Sequence, residues 1–146
     1  MSVEENLRVV EATMQAINDH DLDRFESFHL NSVLQRDPQN PEGIKGSKAV
    51  RGSLEPFLKA FPDIQLVTET QFGAGDWITQ LSHFRGTNTG PLEMPGGQTI
   101  PATNKSVRVP VAMVARLEGG KFAEVNVYFD QAAMMAQLGL LPPPTP

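Results

Sequence analysis

The chain has 146 residues, 40% of them apolar, with a formal charge of −5, 12 glycines, 12 prolines and no cysteine. That length predicts one domain, residues 1–146, burying about 70% of its unfolded surface; zero cysteines exclude a disulfide scaffold, a zinc finger, an iron–sulfur site and a thiol nucleophile. The 17 acidic against 12 basic residues leave no broad basic patch, no apolar run nears the ~20 residues of a membrane span, and the charged start MSVEENLRVVEA lacks a signal peptide's apolar core.

A cytoplasmic protein with neither a nucleic-acid nor a membrane partner is therefore expected. Val3, Leu7, Val10, Met14 and Ile17 recur at helical spacing, which predicts a helix over 3–18, with Ser2 and Glu5 as a capping box. Asp21 can cap a short second helix burying Leu22, Phe25 and Phe28. Residues 32–37 read as extended, and Asn40-Pro41-Glu42-Gly43 as a turn. A third helix is predicted over 48–60 from Ser47, with Pro56 imposing a kink or a second start capped by Ser53.

After Phe61-Pro62-Asp63 the apolar period changes from 3.6 to 2, predicting strands over 63–73, 76–88, 105–117 and 121–129. Gly73-Ala74-Gly75 and Glu118-Gly119-Gly120 are hairpin signals. Residues 89–104, rich in Gly and Pro, read as a long irregular loop. A last helix, QAAMMAQL, ends at Gly139 before a Pro-rich tail over 141–146. Helices followed by an antiparallel meander predict an α+β domain with helices on one sheet face.

Most motifs of catalysis are absent. No Gly-rich loop ends in Lys-Ser/Thr, and no Gly-x-Ser-x-Gly elbow is present. Asp19-x-Asp21-x-Asp23 imitates a calcium loop, but Arg24 takes the glycine position and Leu30 the bidentate glutamate position. His20, His29 and His83 have no metal-ligand spacing, so no metal is expected.

Phe61-Pro62-Asp63-Ile64, Gly75-Asp76, Arg85-Gly86-Thr87-Asn88-Thr89-Gly90, Glu118-Gly119-Gly120-Lys121-Phe122-Ala123-Glu124, and Tyr128-Phe129-Asp130 with Gln137-Leu138-Gly139 occur in that order. From about Leu7 to Gly139 the chain resembles the SnoaL-like polyketide cyclases (ester cyclases) of the nuclear-transport-factor-2-like superfamily. The resemblance implies a cone-shaped α+β barrel, a curved antiparallel sheet closed by N-terminal helices around an apolar pocket. It also implies intramolecular aldol ring closure in a polyketide ester without a cofactor, a small hydrophobic or aromatic ligand, and a homodimer packed through the sheet. The alternatives are a hydroxylase, epoxide hydrolase or isomerase on the same fold, or a non-catalytic small-molecule binding module. The family's acid/base aspartate falls on Asp130. Asn88, Arg36 and Asn126 depart from the family's common residues, which implies a different ligand.

Asp130 also reads as the N-cap of the last helix, a role that would lower its pKa rather than raise it. Strand alternation places 122, 124, 126, 128 and 130 on one face, so Asn126 and Tyr128 join Asp130 as candidate ligand contacts. A three-residue loop at 118–120 would set Arg108 opposite Asp130, whereas a two-residue turn would reverse that parity. Gln80 and Ser82 are either polar pocket walls or an exposed face, and His83 reads as a surface or interface residue.

Overall fold

The computed structural model describes residues 1–94 and 96–141; the rest of the Pro-rich tail lies outside the described residues. Helix α1 (Val3–Asn18) starts where predicted, with the Glu5 N–H donating to Ser2 Oγ at 3.1 Å and Ser2 Oγ donating to Glu5 Oε1 at 3.2 Å. Its last residue pins it to the sheet: Asn18 donates to Leu66 O and accepts from Leu66 N, at 3.0 and 2.7 Å. Helix α2 (Leu22–Ser27) is capped by the Asp21 carboxylate and buries Phe25.

Strand β1 (His29–Asp37) turns into β2 (Asn40–Lys45) through Pro38 and Gln39. The turn therefore comes earlier than the expected 40–43, because the Asp37 carboxylate organises it by accepting the N–H groups of Gln39 and Asn40 at 2.9 and 2.8 Å. Helix α3 (Ser47–Ala60) runs through Pro56 as one element. Ser53 begins no second helix; its hydroxyl donates to Val50 O.

Strands β3 (Gln65–Ala74), β4 (Trp77–Thr87), β7 (Ser106–Glu118) and β8 (Lys121–Phe129) match the four predicted strands within two residues. The expected loop 89–104 contains a two-stranded piece, β5 (Leu92–Glu93) with β6 (Thr99–Ile100). The loop is closed at its neck by Asn88, which is fully buried: Nδ2 donates to Ala60 O and Gly90 O, and Oδ1 accepts from Thr103 N and Thr103 Oγ1, all within 3.0 Å. Helix α4 (Gln131–Gln137) ends with Gly139 at φ +76°.

The six long strands form one sheet in the order β2-β1-β8-β7-β4-β3. All neighbours are antiparallel except β1 and β8, which pair in parallel. The core lies between the sheet and the helices, around Val10, Val50, Phe61, Ile78, Val109 and Leu117.

One irregularity decides which side chains face that core. Gly119 and Gly120 make a two-residue turn that pairs Glu118 with Lys121 and Leu117 with Phe122, but Arg116 then pairs with Glu124. Ala123 is the extra residue of a β-bulge, which reverses the alternation of β8 beyond it. Phe122 faces the core, and after the bulge so do Val125, Val127 and Phe129. The expected single face of 122, 124, 126, 128 and 130 is thus corrected: 124, 126 and 128 lie on the outer side of the sheet.

Candidate functional site

The concave side of the sheet and helices α1, α2 and α3 enclose a cavity of about 190 Å³. Its wall is mainly apolar. Phe57 of α3, Phe84 of β4 and Phe129 of β8 form a triangle of edge-to-face contacts, with ring centroids 6.0–6.3 Å apart. Asp37 and Gln39 border the cavity at the β1–β2 turn, and Asp37 is the one carboxylate among the described lining residues. Its Oδ1 is held by the turn N–H groups and the Asn40 side chain, and its Oδ2 accepts only long contacts, 3.4 Å, from Asn40 and Gln35.

Four almost wholly buried polar side chains interrupt the apolar wall: Thr13, whose hydroxyl donates to Val9 O, and His29, Gln80 and Ser82. Gln80 and Ser82 alternate with outward residues on β4, which settles their side: both face the cavity. Gln80 Nε2 donates to Thr68 Oγ1 at 3.3 Å and Gln71 Oε1 at 3.1 Å. His29 begins β1, in contact with the rings of Phe25 and Phe122, whose centroids lie 4.6 and 5.0 Å from its own. Its Nδ1 lies 2.8 Å from Phe25 O, and a carbonyl only accepts, so Nδ1 carries a hydrogen. Burial pushes the His29 pKa below 6.5, partly offset by the backbone carbonyls of Phe25 and Glu26 and by the Glu26 charge.

The unfolded chain therefore takes up a proton on His29 more readily than the folded one. Stability from this residue is complete above about pH 6.5 and is lost as pH falls through the folded-state value. Urea unfolding between pH 7.5 and 5 is expected to show this loss in wild type and a smaller slope in His29→Gln. An equal slope in both would assign the acid sensitivity to other groups. Nothing in the sequence singled His29 out beyond its apolar neighbours Phe28 and Leu30.

Of the other sequence candidates, Arg108, Asn126 and Tyr128 stand on the outer sheet face. Arg108 extends to Glu69 and His83, with Nη2 at 3.4 Å from each partner atom. Asn126 accepts from Arg36 and donates to Val114 O. Tyr128 is half exposed, in line with Ala112 and Leu81. Arg108 is not opposite Asp130, because the two-residue turn and the bulge both shift the pairing assumed for a three-residue loop.

Asp130 comes directly after Phe129 at the end of β8 and is exposed. Its Oδ1 accepts the Ala133 N–H at 2.9 Å, so the carboxylate caps α4. Asp130→Ala is expected to cost about 0.5–2 kcal/mol in urea unfolding at pH 7; an unchanged midpoint would mean that the cap contributes nothing. Among the described residues no group of three His, Cys, Asp or Glu side chains is placed to hold a metal ion, and no helix is long and apolar enough to cross a membrane.

The sequence model of the SnoaL-like polyketide cyclases matches residues 7–138. No curated protein matches the chain in sequence. Among solved structures, AclR of Streptomyces galilaeus, provisionally named a hydroxylase, superposes with a TM-score of 0.82 at 23% identity, covering 99% of this chain and 91% of its own. A protein of Jannaschia sp. CCS1, provisionally named a SnoaL-like polyketide cyclase, gives 0.82 at 19% identity, with 95% and 94% covered. A protein of Catenulispora acidiphila with a ketosteroid-isomerase-like fold, in complex with trimethylamine, gives 0.75 at 18% identity, with 94% and 97% covered. These likenesses agree with the curved sheet and N-terminal helices as an NTF2-like fold.

Proposed function

Since the chain belongs to the SnoaL-like polyketide cyclase family, we propose that it binds a small, mainly apolar polyketide-type ester in the cavity and closes a ring in it by intramolecular aldol condensation, without a cofactor. The observation that carries this reading is the mainly apolar cleft with a few buried polar groups, the usual form of a small-molecule site. The acid/base group in this reading is Asp130, at the family's position and next in sequence to the cavity residue Phe129. Its carboxylate removes a proton from the carbon between two carbonyls. The resulting enolate carbon bonds to a second carbonyl carbon of the same molecule, and the carboxylic acid returns the proton to the new alkoxide. The Ala133 N–H occupies Oδ1, which leaves Oδ2 for the chemistry. Gln80 fixes the ligand's orientation, and the cavity holds both reacting carbons close, a large part of the rate enhancement.

A single-turnover assay with an aromatic β-keto ester carrying a pendant ketone tests this. Asp130→Asn is expected to lower the rate by ~10²–10⁴ while ligand binding persists. The cap bond favours a second reading, a non-catalytic binding module, and ligand-dependent stabilisation of wild type without product would select it.

The outer face suits the homodimer that the family resemblance implies. Phe72, Trp77, Leu81, Val114 and Tyr128 are large, exposed and on one side of the sheet. A second copy covers this face in our reading, which light scattering tests: Leu81→Asp gives a monomer where wild type gives a dimer.

A further inference from the structure

The polar groups of the cavity bear on which ligands it selects. His29, Gln80 and Ser82 are 5%, 1% and 2% exposed, yet His29 Nε2, Gln80 Oε1 and Ser82 Oγ have no partner among the described residues. They are not sealed away either: among the described residues the buried side-chain polar atom without a partner is Asn6 Oδ1, which lies outside the cavity wall. The three free atoms therefore open on the cavity that these residues line.

Their hydrogen-bonding sense is fixed. With Nδ1–H committed to Phe25 O, a neutral His29 presents only a lone pair at Nε2. Gln80 spends its amide hydrogens on Thr68 and Gln71, so its remaining atom is also an acceptor. The deep part of the wall thus offers acceptors at His29 and Gln80 and a hydroxyl at Ser82, while Thr13 and Ser53 donate their hydroxyls to Val9 O and Val50 O. Gln35, Asp37 and Gln39 stand at the β1–β2 end, and no cationic side chain is among the described lining residues. A carboxylate ligand would face lone pairs with no counter-charge, and a bare hydrocarbon would leave the acceptors dry and unpaired, which costs free energy.

We propose that His29 Nε2 is the cavity's acceptor for a ligand hydroxyl, and that the site thereby selects uncharged, hydroxylated ligands over both hydrocarbons and anions. The proposal rests on the reading of this cavity as the ligand site. His29 is here a specificity-determining residue. It stands beside the Phe25 and Phe122 rings, and the bond from Nδ1 to Phe25 O orients the imidazole.

Fluorescence titration at pH 7.5 with naphthalene, 2-naphthol and 2-naphthoate tests it, in wild type, His29→Phe, His29→Gln and Gln80→Leu. Wild type is expected to bind 2-naphthol about tenfold more tightly than naphthalene, the size of one hydrogen bond, and 2-naphthoate more weakly than either. His29→Phe removes the naphthol preference and keeps naphthalene binding. His29→Gln, which retains an acceptor, keeps part of the preference, as does Gln80→Leu. Equal binding of naphthalene and naphthol in wild type overturns the proposal and leaves the apolar cavity as a ligand site. So does a preference that survives His29→Phe or disappears only in Gln80→Leu. Failure of naphthalene and naphthol alike to bind overturns the reading of the cavity itself, and the proposal with it.

Discussion

Deleting Ala123 is expected to cost at least about 3 kcal/mol, whichever way the strand re-pairs. If the turn at Gly119-Gly120 keeps its register, the residues beyond the deletion reverse, sending Val125, Val127 and Phe129 outward and Asn126 and Tyr128 into the core. Each large apolar side chain so exposed forfeits about 1.5–3 kcal/mol. If the far part of β8 keeps its register instead, Phe122 leaves its place beside His29 and the two-residue turn no longer fits. Ala123→Gly keeps the residue count and hence the bulge, and is expected to cost under about 1 kcal/mol. Urea unfolding of the two variants separates orientation from side-chain loss, and a deletion variant with the wild-type midpoint would show that the bulge does not set the face.

Asn88→Ala is expected to lose about 2–4 kcal/mol. The side chain's four hydrogen bonds join the end of α3 at Ala60 to both arms of the 89–104 loop, and alanine leaves Gly90 O and the Thr103 N–H without these partners. Each buried group so abandoned costs about 1–3 kcal/mol, tempered here because Thr103 and Gly90 are only partly buried. Asn88→His cannot offer two donors and two acceptors from one planar group, so it should fall short of wild type as well. The approach is too close for adjustment: a Cβ on Gly90 would run into the Lys59 carbonyl. A loss under about 1 kcal/mol in urea unfolding would mean that water replaces the clamp. For a domain whose total stability is about 5–15 kcal/mol, the expected loss is severe.

The helices and the four long strands were legible because their signals are local: Ser2 and Asp21 cap the helices that begin beside them, and paired glycines mark the tight turn between β7 and β8. The parallel partner of β1 was not, since nothing near residue 29 specifies a strand that begins at residue 121. The site suffered from one neutral residue. Ala123 carries no turn or breaker signal, and strict alternation through it puts Asn126 and Tyr128 on the cavity side. The apolar spacing itself held the information: Phe122, Val125, Val127 and Phe129 fall at steps of 3, 2 and 2, and the odd step is the bulge. Gln80 was found because β4 alternates without interruption. His29 was missed because a solitary histidine at a helix–strand junction has no pattern to belong to, and only the tertiary placement of Phe25 and Phe122 around it gives it a role.

The parallel pairing of β1 with β8 also orders events during synthesis. Arg36 meets Asn126 across 90 positions of chain, so the β1–β2 hairpin has an open inner edge until nearly the whole polypeptide exists. During that interval Leu34, Gln35 and Arg36 lack their partners on β8, and the exposed edge is a template for pairing with another nascent chain. A fragment ending before Lys121 contains every helix up to α3 and most of the core, yet it cannot close the sheet. Commitment to the native topology is thus a late event that belongs to the C-terminal strand.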